Sequence, residues 1–383
     1  MILLLIYSAF IGLGLPDALL GSAWPVMRPA FGVSQSFAGW ISMIISAGTI
    51  LSSLFAARLL KRFGVGRVAA VSVALTAVAL FGFAAAPGPA WLFPAAIPLG
   101  LGAGAVDAGL NAFVAEHYAS RHMNWLHGFW GLGALTGPIL LAGFLANGGE
   151  WRAGYFCAAT VQAALAACLF LALPLWKKVP RRVPDPREAV AERHRPLFPP
   201  LKIPGVWKAL PVFFCYCGIE ASLGLWGASF LVKSRGLDPA SAARWVSGFY
   251  AGITAGRVLT GFVSHRIPND DLIRWGCAGL VAGILLLFLP APIAPAGFLL
   301  AGLGCAPIFP SMLHETPARF GAADARAIMG LQMATAYIGT TALPPAFGFI
   351  ASSASLSLLP VFLAAYAAVV FAGSESLRAE RRR

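Results

Sequence analysis

Gly104–Pro138 reads GAVDAGLNAFVAEHYASRHMNWLHGFWGLGALTGP, and the placing of its polar residues decides how the whole chain must fold. Two apolar runs, each long enough for a membrane-crossing helix, flank a short polar turn that carries His117, Arg121 and His122. Asp107 and Asn111 are four apart and share one helix face. Gly100, Gly102, Gly104 and Gly109 supply a small-residue surface on which another helix can come close. Beyond the turn come Asn124 and His127, then glycines at 128, 131, 133 and 137 ahead of Pro138. The expectation is a helical hairpin with polar groups near its closed end, held in dry surroundings by the rest of the chain.

Working outward, 58% of the residues are hydrophobic and 11% charged, against about 45–50% and about 25% in ordinary soluble domains. A polytopic membrane protein follows. With about 20 apolar residues per span, twelve spans are expected, at 2–24, 36–60, 67–86, 90–116, 123–147, 151–176, 206–232, 241–265, 271–290, 293–316, 325–351 and 355–373. Most of the 28 Lys and Arg fall in alternate connections and at the C-terminus, which implies cytoplasmic termini because basic residues are retained on that side. The net charge of +13 is then a matter of topology. No basic stretch is interleaved with aromatics for base stacking, so nucleic acid is not an expected partner. The first span has no basic n-region and no small-residue cleavage site, and reads as an uncleaved helix. All six cysteines lie in apolar spans as small hydrophobes.

The chain also repeats itself. Gly48–Arg62 matches Gly252–Arg266, Asp17-Ala18-x-Leu20-Gly21 matches Glu220-Ala221-x-Leu223-Gly224, Gly100-Leu101-Gly102 matches Gly302-Leu303-Gly304, and Gly133 with Pro138 matches Gly339 with Pro344. Offsets of 202 to 206 residues predict two same-handed halves related by an axis along the membrane normal. The expected division is 1–176, a Pro- and charge-rich cytoplasmic linker at 177–205, and 206–383 ending in a basic tail.

A charge at mid-membrane costs on the order of 2.5–3.5 kcal/mol on the lenient insertion scale, so an intramembrane carboxylate is functional by default. Asp17, Asp107 and Glu220 qualify. A carboxyl removed from water holds its proton more readily, which suits it to gain and lose one under physiological gradients. The competing reading is a carboxyl tied to backbone or hydroxyls that merely pins helices. His127 could relay protons or contact solute, or could be a packing residue. Arg257, inside the eighth span, must find carboxylates or carbonyls and reads as a gate or structural partner. Glu116, Lys61, Arg62 and Arg266 stand at span ends, where a gate role competes with plain solvation. Trp130, Trp226, Tyr250, Gln332 and Tyr337 are of the types that stack on and hydrogen-bond to a polyhydroxylated ligand. Trp24 reads equally as an interfacial anchor. No P-loop, metal cluster or nucleophile with its base is found, so neither an enzyme nor ATP-driven transport is expected.

The pattern Asp107-Ala-Gly-Leu-Asn111 followed by MNWLHGFWGLGALTGP at Met123–Pro138 resembles the fucose-permease-like branch of the major facilitator superfamily, a group dominated by proton-coupled sugar symporters. Gly218–Trp226 and Pro307–Pro310 share in the likeness, whereas the loop after the second span departs from the superfamily's G-x-x-x-D-R-x-G-R-R signature at Ala57 and Lys61. The resemblance implies an all-α membrane fold of twelve helices in two parallel six-helix halves, with the first, fourth, seventh and tenth lining a central cavity. It implies proton coupling through Asp107, with Asp17, Glu220 and His127 as further proton sites. Solute contacts would come from Asp17, Asn111, Asn124, His127, Trp130, Trp226, Tyr250, Gln332 and Tyr337. The expected protein is a monomer of the inner membrane that takes up a sugar or similar small polar solute, with protons as coupling ion and no other cofactor. A proton-coupled exporter is the alternative, from the partial glycine signature Gly133-x3-Gly137-Pro138.

Overall fold

The computed structural model describes residues 2–118, 120–176, 203–291, 293–321 and 324–382, and within these ranges the side chains at 115, 116, 120, 121, 124, 326, 381 and 382 fall outside the description. Most of the linker expected at 177–205 likewise lies outside the described residues. The first half contains α1 (Ile2–Gly14), α2 (Leu19–Phe31), α3 (Phe37–Phe63), α4 (Val65–Ala84), α5 (Leu92–His117), α6 (Ser120–Ala146) and α7 (Trp151–Leu171). The second contains α8 (Val206–Arg235), α9 (Pro239–Val263), α10 (Asn269–Leu286), α11 (Ala296–Phe320), α12 (Ala325–Ser353) and α13 (Leu359–Arg382). Since α1 and α2 are the two parts of one rod, Ile2–Phe31, the spans expected from sequence each have a helix. Nine of these helices meet a strict test of length and apolarity among the described residues. The others, α9, α10 and α12, carry more Gly, Ser, Thr or charge.

The break in the first rod was not expected, and Pro16 causes it. Proline has no N–H to give the carbonyl four residues earlier, which leaves the Gly12 carbonyl without its helical donor. Gln162 of α7 supplies the missing bond, Nε2 to Gly12 O at 2.8 Å, and also donates to Thr76 Oγ1 at 3.0 Å. A backbone gap is thus filled by a buried side chain that ties α1, α4 and α7 together. The last helix differs at its other end, running on to Arg382 rather than stopping near 373. Arg378 pairs with Asp271 at 2.7 Å, Arg274 with Glu375 at 3.1 Å, and Lys208 with Glu380. The basic tail is therefore a helical extension packed on α8 and α10.

The internal repeat reappears in the packing. α1 against α6 corresponds to α8 against α12, α3 against α5 to α9 against α11, and α4 against α7 to α10 against α13. Glycine contacts obey the same symmetry. Gly100 abuts the Ile45 carbonyl and Gly302 the Phe249 carbonyl, while Gly133 abuts Ile11 and Gly339 abuts Phe214. Small residues let backbones touch where the lipid supplies no hydrophobic drive for association.

The halves meet through α6 with α9 and α3 with α12, and through α2 with α8. At one end these contacts are tight. Gly21 lies against Gly224 and Leu225, Gly39 against Pro345, Trp40 packs edge-on to Phe349 at 5.3 Å, and the Ser36 N–H donates to Ser352 Oγ at 2.8 Å. This is the closed end of the molecule.

Candidate functional site

Below the closed end a cavity of about 400 Å³ lies between the halves. Its carboxylates come from three places: Asp17 in the α1–α2 break, Asp107 on α5 and Glu220 on α8. The repeated motif explains the first and third. Acid and glycine are four apart in both copies, so on each rod the glycine forms the crossing at the closed end while the acid, one turn below, faces the cavity.

Trp130 of α6 donates its indole N–H to Asp17 Oδ2 at 2.8 Å. The Trp130 ring meets Tyr250 edge-on at 6.3 Å, and the Arg257 guanidinium lies over its face, 5.4 Å from the centroid. On the other side of the cavity Asn111 Nδ2 donates to Asp107 Oδ1 at 2.8 Å and to the Asp107 carbonyl at 3.0 Å. His127 opens onto the cavity and packs edge-on against Phe10 at 6.0 Å. Glu220 has neither a hydrogen bond nor an ion pair among the described residues. Tyr337 and Thr340 of α12 complete that wall. The site thus offers acceptors, aromatic faces and one permanent cation around a space of small-molecule size.

Asp17, Asp107, His127, Trp130, Glu220, Tyr250 and Tyr337 lie around this cavity, and Asn111 joins them through Asp107. Arg257, expected inside the eighth span as a gate or structural partner, belongs to the same wall. Two expected solute contacts lie elsewhere. Trp226 is fully buried, its Nε1 committed to the Pro344 carbonyl at 2.8 Å, with Gly348 and Phe347 against its ring. It packs α8 on α12 because that helix face points away from the cavity. Gln332 is buried near Arg319 at the end opposite the closed one, where its Oε1 accepts from Thr316 at 3.0 Å. Trp24 is buried and stacked near Phe37, not at an interface with lipid. Lys61, Arg62 and Arg266 are exposed at span ends, Arg62 over Phe63 and Arg266 beside His265. The side chains of Glu116 and Asn124 lie outside the described residues.

Sequence reasoning missed Ser42, Ser46 and Thr49 of α3, and Cys217 of α8, all of which line the cavity. Hydroxyls are common in membrane helices and stand out less than charge. The 4-then-3 spacing of Ser42, Ser46 and Thr49 does mark one helix face, and was the available signal.

A sequence profile of the Major Facilitator Superfamily matches residues 6–344. The glucose/mannose transporter GlcP of Bacillus subtilis (strain 168) is 26% identical over 324 residues, 80% of this chain and 77% of its own. A mutant of the nucleoside transporter NupG overlays with a TM-score of 0.76 at 13% identity, covering 97% of this chain and 98% of that one. The transporter FucP, in its outward conformation, overlays with a TM-score of 0.63 at 16% identity, covering 98% of both chains. At such identities the overlays speak for the fold.

Proposed function

The chain belongs to the major facilitator superfamily, and on that premise we propose that it takes up a sugar or similar small polar solute with protons, by rocking its two halves about the central cavity. The carrying observation is the cavity itself, where Asp17, Asp107 and Glu220 converge with Trp130, Tyr250 and Tyr337. Aromatic faces suit a sugar ring, and carboxylates accept from its hydroxyls. GlcP is a glucose/mannose transporter and NupG a nucleoside transporter by name, and both names are of small polar solutes. Asp107 is the favoured proton carrier. Its carboxyl has Asn111 as a neutral partner, so it can take or lose a proton without a counter-charge being stranded.

The concentration of Lys and Arg in alternate connections supports cytoplasmic termini. On that orientation the closed end faces outward and the cavity serves the cytoplasm. The exporter reading leans on Gly133 and Gly137, whose packing against Ile11 and Leu15 accounts for them without export.

Proteoliposomes test the reading. With an imposed proton gradient, symport gives solute accumulation and solute-dependent alkalinisation of the side from which solute enters. Acidification of that side would mean antiport. Thermal-shift hits confined to lipophilic cations, with none among sugars and polyols, would overturn uptake in favour of export. A ligand at 100 times its Kd should stabilise the protein by about 2.7 kcal/mol.

A further inference from the structure

Arg257 is the cavity's permanent cation, and its surroundings differ from those of Arg319 and Arg378. Arg319 and Arg378 hold Asp270 and Asp271 at 2.8 and 2.7 Å. Among the described residues no carboxylate lies within 4.0 Å of Arg257. Glu220 and Tyr216 are its near neighbours, and the Tyr216 hydroxyl, which donates to the Cys305 carbonyl at 2.9 Å, keeps lone pairs to accept from the guanidinium. Arg257 is held on one side by the face of Trp130, and Trp130 is itself fixed by its bond to Asp17. A guanidinium carries five N–H donors in a rigid fork that matches a carboxylate bidentately. Here the plane is oriented by Trp130 and the residue faces the cavity, in a wall that also presents groups suited to hydroxyls.

We propose that Arg257 anchors an anionic group of the solute, so that the site takes carboxylate-bearing sugars, aldonates or uronates, in preference to the unmodified sugars. This rests on the reading of the cavity as a polar-solute site. It also gives the carboxylates a second task. An arriving carboxylate meets Arg257, but also Asp17 from the α1–α2 turn, Asp107 from α5 and Glu220 from α8. His127 of α6 and the weakly acidic Tyr216, Cys217, Tyr250, Cys305 and Tyr337 surround them. With the three carboxylates ionised, the anion faces three like charges against one opposite charge. Each carboxyl that takes up a proton, the favoured carrier Asp107 among them, removes one of those like charges and leaves a neutral donor in its place. Solute anion and proton therefore enter together, and affinity for the anion rises as the medium becomes more acid.

The test uses the full chain in lipid nanodiscs and compares galacturonate, glucuronate and gluconate with galactose, glucose, glucitol and galactosamine. At least one acid should bind about tenfold or more tightly than its neutral counterpart, with the gap widening from about pH 7.5 to about pH 5.5, where these acids stay ionised. Arg257→Gln should erase the preference, and Arg257→Lys, which keeps the charge without the fork, should restore only part of it. Glu220→Gln, which removes one like charge from the wall, should tighten acid binding, a gain that misfolding cannot imitate. Equal binding of neutral and acid sugars, or an acid preference surviving in Arg257→Gln, would overturn the anion anchor and leave the polar-solute site standing. Binding by none of the compounds would remove both.

Discussion

A carboxyl in a membrane-embedded cavity can be there to exchange a proton, to hold solute or to pin helices, and its partners distinguish these roles. Asp107 is bonded to an amide on its own helix, one turn away. That contact survives in either protonation state and ties no second helix. Asp17 is bonded to Trp130 of another helix and stands where a solute hydroxyl would compete for it. Asp107→Asn keeps the shape and removes the ionisation, so it should abolish proton-driven accumulation while leaving proton-independent counterflow largely intact. Asp17→Asn should weaken both. Accumulation by Asp107→Asn with unchanged pH dependence would move the proton site, with Glu220 next in line. These three acids were legible in the sequence because a charge inside an apolar run has few excuses. Trp226 and Gln332 were misread because residue type says nothing of which way a helix face turns, and α8 and α12 have polar or aromatic groups on more than one face.

At the level of elements, the helices obey rules that act over a few residues, and their ends and crossings can be perturbed one at a time. The spans and the glycine repeats were readable because apolar length and small-residue spacing are local properties. The break at Pro16 was not read, because its repair by Gln162 comes from 150 positions along the chain. Gly339 lies against the Phe214 backbone, whereas Gly261 has open space around it. Gly339→Leu should therefore cost about 3 kcal/mol or more by forcing α12 off α8, and Gly261→Leu should be tolerated, as read by thermal unfolding in detergent. The loop before α9 offers a separate test. Asp238 caps that helix by accepting the Ser241 N–H at 2.8 Å, and hydrogen bonding from Ser241 holds its carboxyl below the usual carboxylate range. A lowered folded-state pKa means stability that is present above the unfolded value and lost only as pH falls through the folded one. Asp238→Ala should accordingly cost about 1 kcal/mol at neutral pH. The deficit should persist at mildly acid pH and fade only below the ordinary carboxylate range. A deficit that vanished already near neutrality would assign the effect to another group.

For the whole molecule, the question is what moves. In the proposed mechanism, two bundles with matching internal contacts, joined through α2 with α8, α3 with α12 and α6 with α9, rock as rigid bodies about the cavity. Rocking must then part the closed end, where Gly21 meets Gly224, Gly39 meets Pro345 and the Ser36 N–H reaches Ser352 Oγ at 2.8 Å. The glycines matter because the crossing needs backbone contact, and the Ser36–Ser352 bond matters because it spans the halves with little side chain between them. That proximity suits a disulfide, whose Cα atoms stand about 4.4–6.8 Å apart. Ser36→Cys with Ser352→Cys should cross-link on oxidation, stop solute transport, and recover when the bond is reduced, while each single variant transports normally in either condition. Binding from the open side should survive the cross-link, since the cavity walls keep their places while only the closed end is held. Cross-linked protein, verified by mass spectrometry, that still carried solute across the membrane at the reduced rate would show that this end stays shut throughout the cycle, and the two-body motion would have to be abandoned for a smaller gate within one half.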